Sequence, residues 1–74
     1  MNFNYEKALG KNIRCFRESR HLTQEALASK MQLLGCDITR SALAKIEVGQ
    51  RHIYPDELRI IRDIFDVPFE DLFP

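Results

Sequence analysis

An all-α fold is predicted for this 74-residue chain by three observations. Apolar residues recur at spacings of three and four in successive stretches, the period of a helix with one buried face. Residues that open or close helices (Thr23, Gly35, Thr39, Gly49 and Pro55) fall between those stretches. No run of alternating β-branched residues offers a strand. The length supports one domain over residues 1–74, built on one modest core.

The first helix is expected from about Tyr5 to Arg20, where Leu9, Ile13 and Phe16 form a stripe and Lys7, Lys11, Arg14 and Glu18 lie off it. His21-Leu22 interrupts that pattern. The Thr23 hydroxyl can then accept from the free amides of a second helix, with Glu25 suited to its positive end. Leu27, Ala28, Met31 and Leu34 read as the buried side of helix 2, and Gly35 as its stop. Thr39 reads as the cap of helix 3, which buries Ala42, Leu43 and Ile46 and ends at Gly49. Pro55 suits the first position of helix 4, because its missing amide hydrogen is unneeded there, and Asp56 and Glu57 follow in the first turn. Leu58, Ile61, Ile64 and Phe65 carry the stripe of helix 4. Pro68 opens a short fifth helix that includes Leu72 and Phe73.

Composition removes several function classes. The longest apolar runs are two or three residues, so no segment is expected to span a bilayer. The opening Met1-Asn2-Phe3-Asn4-Tyr5-Glu6 lacks the basic region and apolar run of a secretory leader. Cys15 and Cys36 lie 21 apart without a CxxC partner, which favours reduced thiols and a cytoplasmic setting. Cys15, His21, Cys36 and His52 match no common zinc spacing. Ser19 and Ser41 lack a His–acid arrangement, and Gly10, Gly35 and Gly49 form no phosphate loop. No catalytic residue, metal, cofactor or small-molecule ligand is expected.

Net charge is zero, yet it is unevenly spread. Residues 1–51 hold nine Lys/Arg and five Asp/Glu, whereas residues 52–74 hold two and six. A neutral total therefore conceals a basic part that a polyanion can meet and an acidic part that it avoids. Ala28, a small residue in helix 2, allows helix 3 to cross closely. Helix 3 then turns Arg40, Ser41, Ala44 and Lys45 outward, opposite Leu43 and Ile46. Such a helix fits a major groove about 12 Å wide: Arg and Lys match guanine acceptors, Ser a base or phosphate, and Ala a thymine methyl.

Leu22-Thr23-Gln24-Glu25-Ala26-Leu27-Ala28, followed by Ile38-Thr39-Arg40-Ser41-Ala42-Leu43-Ala44-Lys45-Ile46-Glu47-Val48-Gly49, resembles the Cro/lambda-repressor-like (xenobiotic-response-element) family. The likeness extends to Ile13 and Arg17 upstream, and downstream to residues 58–64, Val67 and residues 69–73. It implies a compact five-helix lambda-repressor-like domain whose helix-turn-helix is formed by helices 2 and 3. It also implies that Gln24 binds a phosphate and braces the recognition helix, that Arg51 and His52 contact the DNA backbone, and that Arg17 and Glu47 form a buried salt bridge. Thr39 is a further candidate for a phosphate contact beside its capping role. The chain departs from the pattern between Ala28 and Ile38, where nine residues stand in place of the usual four. Helix 2 and its following turn are expected to be longer for that reason. His21 replaces a frequent glycine, and Val48 a frequent asparagine.

The function implied is a sequence-specific DNA-binding transcriptional regulator, a repressor acting as a homodimer on double-stranded DNA. A protein-interaction module that keeps the fold without reading DNA is the alternative. For the dimer, Ile60 beside Ile61, Phe69 after Pro68 and Phe73 after Leu72 exceed what one helical stripe buries, and these three are the candidate interface.

Overall fold

A computed structural model describes residues 3–74, beginning with the backbone of Phe3; Met1 and Asn2, the first two residues of the stretch read as carrying no leader, lie outside the described residues. Among those residues the chain forms α1 (Phe3–Ser19), α2 (Gln24–Leu33), α3 (Arg40–Glu47), α4 (Pro55–Phe65) and α5 (Phe69–Leu72), with no strand. α1 packs against α3, α4 and α5, while α2 packs against α3 and α4. Leu9, Ile13, Leu27, Met31, Leu43, Ile46, Ile61, Phe65 and Leu72 meet in the centre.

Helix starts follow local chemistry. Thr23 Oγ1 accepts from the Ala26 amide, and Thr39 Oγ1 from the Ala42 amide, each at 3.0 Å. Pro55 opens α4 behind Tyr54, whose amide donates to Glu57 Oε1 at 2.9 Å. Helix ends follow a shared pattern. Past α1, α2 and α3, one amide reaches back five residues and the preceding amide three. The longer bonds are Leu22 N to Arg17 O (3.1 Å), Cys36 N to Met31 O (3.0 Å) and Gln50 N to Lys45 O (2.8 Å). The residue at each pivot is left-handed: His21 at φ 56°, Gly35 at 90° and Gly49 at 80°.

The extra residues between Ala28 and Ile38 continue α2 to Leu33 and then form a six-residue connection, 34–39, to α3. Gln32 Nε2 donates to Ile38 O at 2.6 Å across that connection, and Ile38 and Cys36 face the core. The longer route therefore still returns α3 onto α2.

Several sequence expectations need correction. Leu34 is exposed, because α2 ends at Leu33 and the chain turns away there; Leu33 is 86% exposed. Ile60, read as facing outward, is only 7% exposed. α4 lies against α1, α2 and α5, so the covered arc is wide enough to bury both Ile60 and Ile61. Ile60 is thereby withdrawn from the candidate dimer surface. Glu57 lies in the first turn of α4 as expected, but it is also buried. Ala28 is buried as expected. A second close approach between helices is at Gly10 of α1, where a Cβ would lie 2.2 Å from the Ile46 carbonyl oxygen.

Candidate nucleic-acid interface

α3 is eight residues long and divides sharply into two sides. Leu43, Ile46 and Glu47 are buried, Arg40, Ser41 and Lys45 are exposed, and Ala44 is half-buried among them. Steps of four along the helix align Arg40 with Ala44 and Ser41 with Lys45. The same step takes Ala44 to Val48, the C-cap, which is also exposed. Val48 was missing from the sequence-based candidates, although its spacing from Ala44 placed it on the same face.

The far end of α3 is fixed from behind. Arg17 of α1 donates through Nε to Glu47 Oε2 at 2.7 Å and through Nη2 to Oε1 at 3.0 Å. Its remaining nitrogen, Nη1, donates to Leu22 O at 2.8 Å. Gln24, the first residue of α2, adds an Nε2 bond to Glu47 Oε1 at 3.0 Å. One carboxylate thus joins α1, the start of α2 and the end of α3. The Glu47 carboxylate raises the Arg17 pKa above its usual range by hydrogen bonding and charge, against the opposing pull of burial. Gln24 is half-buried, with its amide nitrogen directed inward at Glu47.

Arg51 and His52, beyond α3, already have partners inside the chain. Arg51 donates to both carboxylate oxygens of Glu57 at 2.9 and 3.0 Å and lies over the Tyr54 ring, 5.2 Å from its centre. This bond to Glu57 raises the Arg51 pKa despite partial burial. His52 Nδ1 contacts the Glu6 carboxylate of α1. A phosphate would compete with Glu57 for Arg51 and with Glu6 for His52. The Arg51–Glu57 pair was not anticipated, since its acid looked like a helix-start preference.

Other chemistry is sparse. Among the described residues, no group of three or more His, Cys, Asp or Glu converges on a metal-sized site, and no helix is long and apolar enough to cross a membrane. Cys15 is exposed and Cys36 buried, and burial pushes the Cys36 thiol pKa up, away from the reactive thiolate.

Two capped helices joined by a turn, the second with basic and small side chains outward and its end fixed to its neighbours, define a helix-turn-helix domain. The chain belongs to the Cro/C1-type helix-turn-helix family, a family of DNA-binding domains rather than enzymes, and residues 13–72 match the family model. Two solved structures are similar along nearly their whole length. One is the crystal structure of the DNA-binding domain of BldD, with TM-score 0.82, 26% identity and full coverage of both chains. The other is the S. venezulae BldD DNA-binding domain, with TM-score 0.79 and 25% identity over 96% of this chain and 99% of that one. No curated protein sequence matches.

Proposed function

We propose that this chain is a sequence-specific DNA-binding transcriptional regulator, a cytoplasmic repressor that lays α3 in the major groove and acts as a homodimer. The observation that carries the reading is the outward face of α3. Arg40, Ser41, Ala44 and Lys45 project from a helix whose other side is buried and whose end is held by Arg17 and Gln24. A base-reading side chain gains affinity only if its backbone is held in register with the groove. Arg40 and Lys45 suit guanine acceptors, Ser41 a base or phosphate, and Ala44 a thymine methyl. Gln24 and Thr39 stand at the starts of α2 and α3, where exposed amides meet phosphates. Arg51 and His52 join them if phosphate displaces their acidic partners.

Selection of bound sequences from a random duplex pool tests this reading. A defined site should emerge, and binding should weaken steeply with salt as counterions are released. Arg40→Ala should cost about 1–3 kcal/mol of specific binding and relax one base pair. Recovery of no preferred sequence, with binding insensitive to salt, would instead favour a protein-interaction module. Unchanged site affinity in both Arg40→Ala and Lys45→Ala would remove α3 as the reader.

A further inference from the structure

Beside the end of α3 runs a basic edge that the reading above does not use. Lys7, Lys11 and Arg14 follow one another on α1 at spacings of four and three, so they share one face of the helix. All three are exposed. Together with Val48 and Glu47 they line an open groove of about 220 Å³ between α1 and the end of α3. The one acid in that lining, Glu47, is buried and already bonded to Arg17 and Gln24. Arg14 has a loose, half-exposed contact with Glu18 at 3.5 Å, and among the described residues no acid pairs with Lys7 or Lys11. The groove is therefore an electropositive strip in which Lys7 and Lys11 have no acidic partner among the described residues.

Its position relative to α3 is fixed by two glycines. A Cβ at Gly10 would lie 2.2 Å from Ile46 O, and one at Gly49 2.9 Å from Lys7 Cα. At both positions the backbones of α1 and of the end of α3 approach too closely to admit a side chain. A major groove is about 12 Å wide and edged by phosphates, so a helix packed against the end of one seated in the groove is within reach of that rim. Val48 belongs both to the outward stripe of α3 and to the lining of the α1 groove, so the two surfaces are continuous.

We infer that Lys7, Lys11 and Arg14 form a second phosphate-binding edge, which contacts the sugar-phosphate backbone flanking the major groove that α3 enters. The inference rests on the DNA-binding reading and adds a partner for α1. Phosphate contacts fix orientation and carry no sequence information, so this edge sets affinity and register while α3 selects bases.

The test compares Lys7→Gln/Lys11→Gln with a control that removes two exposed charges elsewhere, Lys30→Gln/Arg59→Gln. Binding of the full chain to a random-sequence duplex and to its selected site is measured across a salt series. Each phosphate contact contributes about 0.9 to the slope of log affinity against log salt. The α1 variant should lose close to 2 from that slope, with its ranking of sequences and its melting temperature unchanged, while the control keeps the wild-type slope. Lys7→Arg/Lys11→Arg should keep it too. Equal slopes for the α1 variant and wild type overturn the edge while leaving the α3 reading intact. Equal losses in variant and control reduce the effect to net charge and also overturn it. Failure of the wild-type chain to bind either duplex overturns both readings.

Discussion

Arg17 grips both carboxylate oxygens of Glu47 from thirty positions away, at 2.7 and 3.0 Å, and both side chains are buried. The pair is the meeting point of three helices. Removing one partner leaves the other charged and without water, a loss on the order of 3–5 kcal/mol. Glu47→Ala is therefore expected to lower the melting temperature by more than ten degrees, since about 1 kcal/mol corresponds to roughly 4–8 °C in a domain this small. Glu18→Ala, which breaks only a half-exposed contact with Arg14, should shift it by no more than about 4 °C. Equal melting shifts for the two variants would show that the buried pair contributes no more than the exposed one.

Gly10 sits in the interior of α1, where alanine ordinarily improves a helix by about 1 kcal/mol. Here the sign should reverse. A Cβ would lie 2.2 Å from the Ile46 carbonyl oxygen and 2.8 Å from that of Glu47, both backbone atoms that cannot swing aside. Gly10→Ala is expected to destabilise by several kcal/mol or to prevent folding, because α1 must move away from α3. Gly35→Ala serves as a comparison. It has no neighbour within 4 Å and meets only the strain of φ 90°, so about 1–2 kcal/mol is expected. Chemical denaturation of both variants should rank Gly10→Ala as the more damaging, and the reverse order would contradict the close crossing.

The features legible in the sequence are those settled within one turn of chain. Thr23 and Thr39 cap the amides three positions on, Pro55 starts a helix, and Gly35 and Gly49 close two others. The outward face of α3 was legible for the same reason, since its period fixes which side is buried. Features set by tertiary packing were not. Nothing local marks Gly10 as a crossing point, and Glu57 resembles a surface acid until Arg51 folds back onto it. Ile60 was misread because a single stripe was assumed for α4, whereas neighbours on several sides widen it. Leu34 was misread as buried because it keeps the apolar period one residue beyond the last turn of α2, where the chain turns away.

His21 occupies the left-handed pivot that Gly35 and Gly49 occupy at the next two helix ends, with the same pair of backbone bonds. A side chain there costs about 1–2 kcal/mol relative to its relaxed conformation. Glycine removes that strain but returns about 0.4–1 kcal/mol as extra freedom of the unfolded chain. His21→Gly is thus expected to stabilise the domain by up to about 1 kcal/mol, read as a melting temperature a few degrees higher. The residue is exposed, and no hydrogen bond from its ring is lost among the described residues. A lower melting temperature would mean that the imidazole holds the turn in some other way.

The proposed dimer now rests on Phe69 and Phe73 alone, which are 42% and 37% exposed. Neither ring is bare. The Arg62 guanidinium lies 5.3 Å from the Phe69 ring centre, and the Tyr5 ring lies 6.5 Å from that of Phe73. A partner would therefore gain only the outer faces of two rings on a four-residue helix, well short of the roughly 800 Å² per subunit of a stable interface. Association is expected to be weak and dependent on concentration. The acidic balance of residues 52–74 suits a surface turned away from phosphate. Sedimentation at tens of micromolar should show partial dimer for the wild-type chain and monomer for Phe69→Glu, since an unpaired carboxylate cannot be buried between two copies. Leu33→Glu provides the opposing test, because Leu33 and Leu34 form another exposed apolar surface, beside Ile64. If Leu33→Glu abolishes the dimer and Phe69→Glu leaves it intact, the two-fold axis passes by the end of α2, and the longer connection to α3 becomes part of the interface.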